Sequence, residues 1–472
     1  VQEGLALTEI DATSARLNRV LGPAGVMLLS FSALSPVFSV YIGGNEVLRM
    51  AGTGAALAFL VGGVVSAILA LLYAEVGAAF PGAGGIYPSL SALLGRFLTF
   101  PYIVLMLPIT LGQVSFAALG MADYTRFLIP SAPYFPIVFG ALAAAAVIAI
   151  LNIRHGALVT GLFLAVEAAA LGVLVTVALT HPSRGLGQLL AHPVMLSHGV
   201  LRPTPLAVLG LATVSGVWSC GGASWALYFA EEMHDARRKI GRVIAWTGVL
   251  ASLTIAGPMI LMLLSARDIP GVLSAETPFA AFLKVTAGPL IAALVSVGVC
   301  AALFNSIVAT IMAYGRYLYA TGRDGIWPAP MSRVLGRLSS RLHTPVVASL
   351  ILTVASALMA LFGERTILVL ISGNVSDYLL ISLALFVGRR KGLTGRDFRA
   401  PAHPLVPIFG LTVTALSIFA DWLDKDAGRP SILLLMSLFL GALAYYHFRL
   451  RQASASWTIG GAETEMVAPA AE

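Results

Sequence analysis

Apolar runs separated by short polar connections recur along the chain from Val20 to Phe448. A helix that crosses the ~30 Å hydrocarbon layer of a bilayer needs about 20 mostly apolar residues. Twelve runs reach that length, near residues 20–48, 55–80, 98–129, 135–153, 156–180, 205–230, 240–265, 287–320, 344–362, 366–388, 404–423 and 430–448. The pattern predicts an all-α integral membrane protein of about twelve transmembrane helices in one membrane domain. An even number of spans puts both termini on the same side.

Two runs interrupt their own pattern. The first contains Ala33-Leu34-Ser35-Pro36-Val37-Phe38-Ser39 and then Gly43-Gly44, and the sixth contains Trp218-Ser219-Cys220-Gly221-Gly222-Ala223-Ser224. Pro36 has no amide hydrogen and obstructs the preceding turn. Gly221 and Gly222 each weaken a helix by about 1 kcal/mol relative to Ala. Unwound backbone survives at membrane depth only where protein or a water-filled cavity satisfies its peptide groups. Either motif alone reads as a kink or a close-packing contact. Two of them, one in each half and five helices apart, point to an inverted repeat around a central binding site. The expected substrate-binding residues are Ser35, Pro36, Val37, Phe38 and Ser39 at the first break, with Trp218, Ser219, Cys220, Gly221 and Gly222 at the second.

Composition supports the membrane reading. Of 472 residues, 58% are hydrophobic and 11% charged, whereas a soluble domain uses about a quarter charged residues to cover its surface. With the N-terminus inside, most of the 29 Lys and Arg residues fall in inner segments, among them Arg237-Arg238-Lys239, Arg389-Arg390-Lys391 and Arg449. That bias predicts cytoplasmic termini and a multi-pass protein of the inner (plasma) membrane. It also accounts for the net charge of +7 without nucleic acid, since no basic run is interleaved with aromatic residues. The two cysteines, Cys220 and Cys300, lie in apolar segments, and the eight histidines are scattered. No metal or disulfide pattern arises, and no cofactor is expected. Pro81-Gly82-Ala83-Gly84-Gly85 lacks the lysine and the preceding strand of a phosphate loop, so ATP-driven transport is not expected.

Four further stretches carry a resemblance. They are Ala74-Glu75-Val76-Gly77-Ala78-Ala79-Phe80-Pro81 with Ala83-Gly84-Gly85-Ile86-Tyr87; Tyr228-Phe229-Ala230-Glu231-Glu232 with Asp235-Ala236-Arg237-Arg238; Tyr314-Gly315-Arg316-Tyr317-Leu318-Tyr319-Ala320 with Gly322-Arg323-Asp324-Gly325 and Pro328; and Phe398-Arg399-Ala400-Pro401 with Pro404 and Pro407. In this order they resemble the amino acid–polyamine–organocation (APC) superfamily of transporters over most of residues 15–450. The resemblance implies a LeuT-type fold, a five-plus-five inverted repeat followed by two helices, working by alternating access. The implied organisation is a cytoplasmic tail over 1–15, a first five-helix repeat over 16–181 and an extracellular loop over 182–203. A second repeat follows over 204–390, then helices 11 and 12 over 391–450 and a disordered cytoplasmic tail over 451–472. Many relatives place a Gly-Ser-Gly-like run at the first break, whose amides hold an amino acid carboxylate. Ser35-Pro36-Val37-Phe38-Ser39 departs from that pattern and does not offer the same open amides.

A carboxylate inside the bilayer is costly, so an intramembrane Glu is a functional candidate by default. Glu167 sits midway along the fifth span in Ala165-Val166-Glu167-Ala168. Some relatives place a Lys there in lieu of a coupling sodium ion. Glu167 is therefore the expected ion-coupling residue, a proton carrier or a counter-ion for a cationic substrate; the plain alternative is a neutral Glu bonded to a helix carbonyl. Asn305, Ser306, Asn374 and Asp377 are candidate cavity-lining residues, with helix-to-helix hydrogen bonding as the other reading. Asp377 shares the tenth span with Asn374. Glu75, Glu231 and Glu232 are expected to pair with basic loops.

The expected function is secondary transport of an amino acid, amine or related small solute, as a proton-coupled symporter or an exchanger. One alternative keeps the fold and carries an inorganic cation such as potassium. Another, from a different class, is a non-transporting sensor or a membrane enzyme, although no catalytic constellation is present. The expected partners are a small-molecule substrate, a proton and the lipid bilayer. No sequence feature sets an oligomeric state.

Overall fold

The computed structural model describes residues 17, 19–151, 153–371, 375–425 and 428–451. The expected tails, over 1–15 and from 452 onward, fall outside these residues, as does Asn374. Among the described residues, nine helical stretches are long and apolar enough to cross a membrane. Two shorter apolar helices, Tyr134–Ala149 and Val346–Ala360, accompany them. The first stretch, Pro23–Ala79, runs for 57 residues. Laid out straight at 1.5 Å per residue it would reach about 85 Å, far beyond one hydrocarbon layer. It turns at Gly52, whose φ of 59° suits glycine. A Cβ there would lie 2.1 Å from the Val194 carbonyl oxygen.

Val194 belongs to a small hairpin, Val194–Ser197 paired antiparallel with Val200–Pro203. The segment expected as a loop over 182–203 thus carries a short helix, Leu186–Ala191, and two strands. It is pinned to the turn: the Val194 amide donates to Thr53 Oγ1 at 2.8 Å, and Thr204 Oγ1 donates to the Ala51 carbonyl at 3.1 Å.

The Ala55–Ala79 helix packs between Leu206–Cys220 and Ala236–Ser265. Small residues permit this approach, the usual device where lipid provides no hydrophobic drive between helices. A Cβ on Gly62 would lie 2.5 Å from the Gly216 carbonyl carbon, and one on Gly216 the same distance from the Ala58 carbonyl oxygen. Hydroxyls fasten the seam. Ser66 Oγ donates to the Val217 carbonyl at 2.6 Å and Ser252 Oγ to that of Gly63 at 2.8 Å. Facing outward, Leu162 is 66% and Leu290 70% exposed, a surface suited to lipid rather than to water. Of the span expected over 366–388, residues 366–371 and 375–388 are described, and both stretches are helical.

Candidate substrate site

Both interruptions read from the sequence are real breaks. The first helix, Pro23–Leu34, stops at Ser35, which sits at φ 42° and ψ 97°. Pro36 restarts the helix at a position where its missing amide costs nothing. Ser35 caps the restart by accepting from the Phe38 amide at 3.1 Å. The chain then widens into a π-helical turn over Ser39–Gly43, a form that recurs at functional sites. The second helix, Leu206–Cys220, stops at Gly221, and Gly222 adopts φ 110° before a tight helix over Ala223–Glu232. A Cβ on Gly222 would lie 2.4 Å from Leu34 Cδ1, and one on Gly43 2.9 Å from Ser219 Oγ. The two breaks touch each other.

Glu167, on the Ile153–Thr180 helix, reaches into the first break. Its Oε1 accepts from Ser35 Oγ and from the Val37 amide, each at 2.8 Å. The side chain is buried, and Oε2 has no partner among the described residues. A carboxyl oxygen therefore fills the anion-favouring start of the restarted helix.

Beside the breaks lies a cavity of about 100 Å³. The first break gives it Phe38 and Ser39, and the second gives Trp218, Ser219, Gly221 and Gly222. Ser306, Thr310 and Tyr314 come from the Pro289–Arg323 helix and Gln113 from Arg96–Leu128. Tyr73, Asp377 and Tyr378 close another side. Aromatic rings pack around it: Trp225 lies 4.9 Å from Tyr314 between centroids, and Tyr73 meets Tyr378 edge-on at 6.4 Å. The Tyr314 hydroxyl donates to Gln113 Oε1.

Residues 21–448 match the sequence pattern of the amino acid permease family. The chain belongs to that family. Among the permease's relatives is the branched-chain amino acid permease BcaP of Lactococcus lactis subsp. cremoris (strain MG1363), 22% identical over 87% of this chain and 90% of its own length. The human Asc-type amino acid transporter 1 is 24% identical over 70% of this chain and 63% of its own. The methylthioribose transporter of Bacillus subtilis (strain 168) is 21% identical over 84% of this chain and 87% of its own. Family and relatives are transporters, not enzymes.

Eight of the candidate site residues read from the sequence line the cavity of the permease: Phe38, Ser39, Trp218, Ser219, Gly221, Gly222, Ser306 and Asp377. Ser35, Pro36, Val37 and Cys220 are buried behind it and shape the breaks, and Glu167 contacts the first break rather than the cavity. Asn305 is fully buried, with both amide atoms unpartnered among the described residues. Sequence reasoning missed Tyr73, Gln113, Thr310, Tyr314 and Tyr378. Each is an ordinary polar residue on a long helix, and only the tertiary arrangement collects them. The acidic residues expected to pair do so. Arg389 Nη2 donates to Glu75 Oε2 at 2.6 Å, and Arg323 Nη1 to Glu231 Oε1 at 2.9 Å. Arg316 grips Glu232 through Nε at 2.6 Å and Nη2 at 3.1 Å, both side chains fully buried.

Proposed function

We propose that this permease carries an amino acid or a closely related small amine across the plasma membrane by alternating access around the two breaks. The supporting observation is the cavity, walled by both breaks at once. A water-sized group fills about 10–15 Å³ of such space, so a cavity of about 100 Å³ holds roughly seven to ten non-hydrogen atoms. That is the size of a small to medium amino acid. Two of the three relatives described carry amino acids by name. Asp377 is the one acidic side chain among the described lining residues, whereas a site for a bare inorganic cation calls for several oxygen ligands.

The proposed frame has twelve helices, with five-helix repeats over 16–181 and 204–390, two closing helices, and both termini in the cytoplasm. Coupling runs through Glu167. Ionised, it latches the first break by accepting from Val37 and Ser35. Protonated, it holds that break less tightly, so each loading of a proton loosens the restarted helix. The test is uptake of labelled amino acids and amines into proteoliposomes with an imposed proton gradient. Accumulation that collapses with the gradient supports the proposal. Uptake no greater than into protein-free liposomes across the whole panel refutes it.

A further inference from the structure

Asp377 has no role in the coupling just described, yet it is the only charged side chain among the described residues that line the cavity. No Lys, Arg or His faces it there. Its Oδ1 is buried and has no hydrogen-bond partner among the described residues, while Tyr102 bonds to the carboxyl group. A buried carboxyl oxygen without a partner is costly, and an ammonium group brought in by a solute supplies the missing donor. The surrounding walls suit the same guest. Tyr73, Tyr228 and Tyr378 all lie within electrostatic reach of Asp377, and the ring faces of Tyr and Trp attract cations.

The other half of a zwitterion is poorly served at the first break. Pro36 has no amide hydrogen, the Val37 amide is taken by Glu167, and the Phe38 amide is taken by Ser35 Oγ. A guest of net charge +1 neutralises Asp377, whereas a zwitterion brings an additional carboxylate into a cavity whose described lining residues include no cationic side chain to receive it.

We infer that Asp377 is the ammonium anchor of the permease and that it selects small amines of net positive charge over zwitterionic amino acids of the same shape. This rests on the transport reading above and narrows its substrate class. The experiment uses the full-length purified protein in detergent and three ligand series, built on alanine, leucine and phenylalanine. Each contains the amino acid, its carboxamide and the deaminated acid, at mildly acidic pH where the carboxamide's amine is protonated. Apparent affinities come from melting temperature against ligand concentration.

In the series that fits the cavity, the carboxamide is expected to bind more than about tenfold tighter than the amino acid, with the deaminated acid weakest. Asp377→Asn is expected to weaken carboxamide binding by about thirtyfold or more, the usual consequence of removing one member of a desolvated charge pair, and to erase the preference. Asp377→Glu keeps the carboxylate and is expected to keep the order of the ladder. If Asp377→Asn does not fold, the wild-type ladder and the Asp377→Glu ladder decide. Amino acids binding as tightly as their carboxamides would overturn the anchor and leave the transport reading standing. No binding by any member of any series would overturn both.

Discussion

Removing the Glu167 carboxylate tests the first break most directly. Oε1 accepts two hydrogen bonds at 2.8 Å, one of them from the Val37 amide. Hydrogen bonds to an ionised group contribute about 1.5–3 kcal/mol each. Glu167→Ala also leaves the Val37 donor buried and unpaired, so a loss of about 3–5 kcal/mol is expected. Glu167→Gln keeps an acceptor at the Oε1 position but places an amide nitrogen where Oε2 had no partner. That strands buried donors at a cost of about 1–3 kcal/mol. Stability should therefore fall from wild type to Gln to Ala, as read by denaturant unfolding in detergent. Function separates the two ideas about this residue. Gln cannot exchange a proton, so Glu167→Gln proteoliposomes should equilibrate substrate across the membrane but not concentrate it in response to a pH gradient. Concentrative uptake by Glu167→Gln with unaltered dependence on external pH would refute the coupling role. An Ala variant as stable as wild type would refute the latch.

The Arg316–Glu232 pair is fully buried, so removing one partner leaves an uncompensated charge. Arg316→Met or Glu232→Leu alone should cost about 3–5 kcal/mol, while the double variant should recover most of it; equal losses in all three would show that the pair does not act as a unit. At the seam between the Ala55–Ala79 and Leu206–Cys220 helices, Gly62→Ala places a methyl 2.5 Å from backbone. A loss of about 1–3 kcal/mol is expected, checked by melting in detergent beside Gly140→Ala, which meets open space. Glu364, half-buried outside the membrane-spanning stretches, is pushed from 4.5 up to about 7 by burial and then by its hydrogen bond with Asp123. The folded state binds that proton more tightly than the unfolded one. Its contribution is complete below about pH 4.5 and fades as pH rises towards 7, by under about 2 kcal/mol given its exposure to solvent. Glu364→Gln should flatten that part of a melting-temperature profile against pH.

The breaks were legible because their causes are local. Pro36 and the Gly221-Gly222 pair violate helical chemistry wherever the chain later packs. The membrane character was legible for a similar reason, since it follows from uninterrupted apolar length. Other features depend on partners remote in sequence. Ser35 and Glu167 are 132 residues apart, and nothing on the fifth span announces that its carboxyl reaches the first break. The short hairpin after Ala191 was read as loop because its four-residue strands owe their position to Thr53 and Gly52 rather than to their own pattern. Asp377 is legible only as one of several polar residues that could face the cavity or bond between helices. Its standing as the one charged side chain among the described lining residues emerges once the surrounding helices are in place.

The entry into the first broken helix is clasped to the exit from the second. The Val20 and Leu21 amides both donate to the Glu232 carbonyl, at 2.9 and 2.8 Å, and the His234 amide returns a bond to Leu21 at 2.9 Å. This splice ties the Pro23–Leu34 segment to the Ala223–Glu232 segment, so a displacement of either one would carry the other with it. A joint displacement of that kind needs no slippage at the clasp. A disulfide stapling positions 21 and 233 should accordingly leave turnover unimpaired.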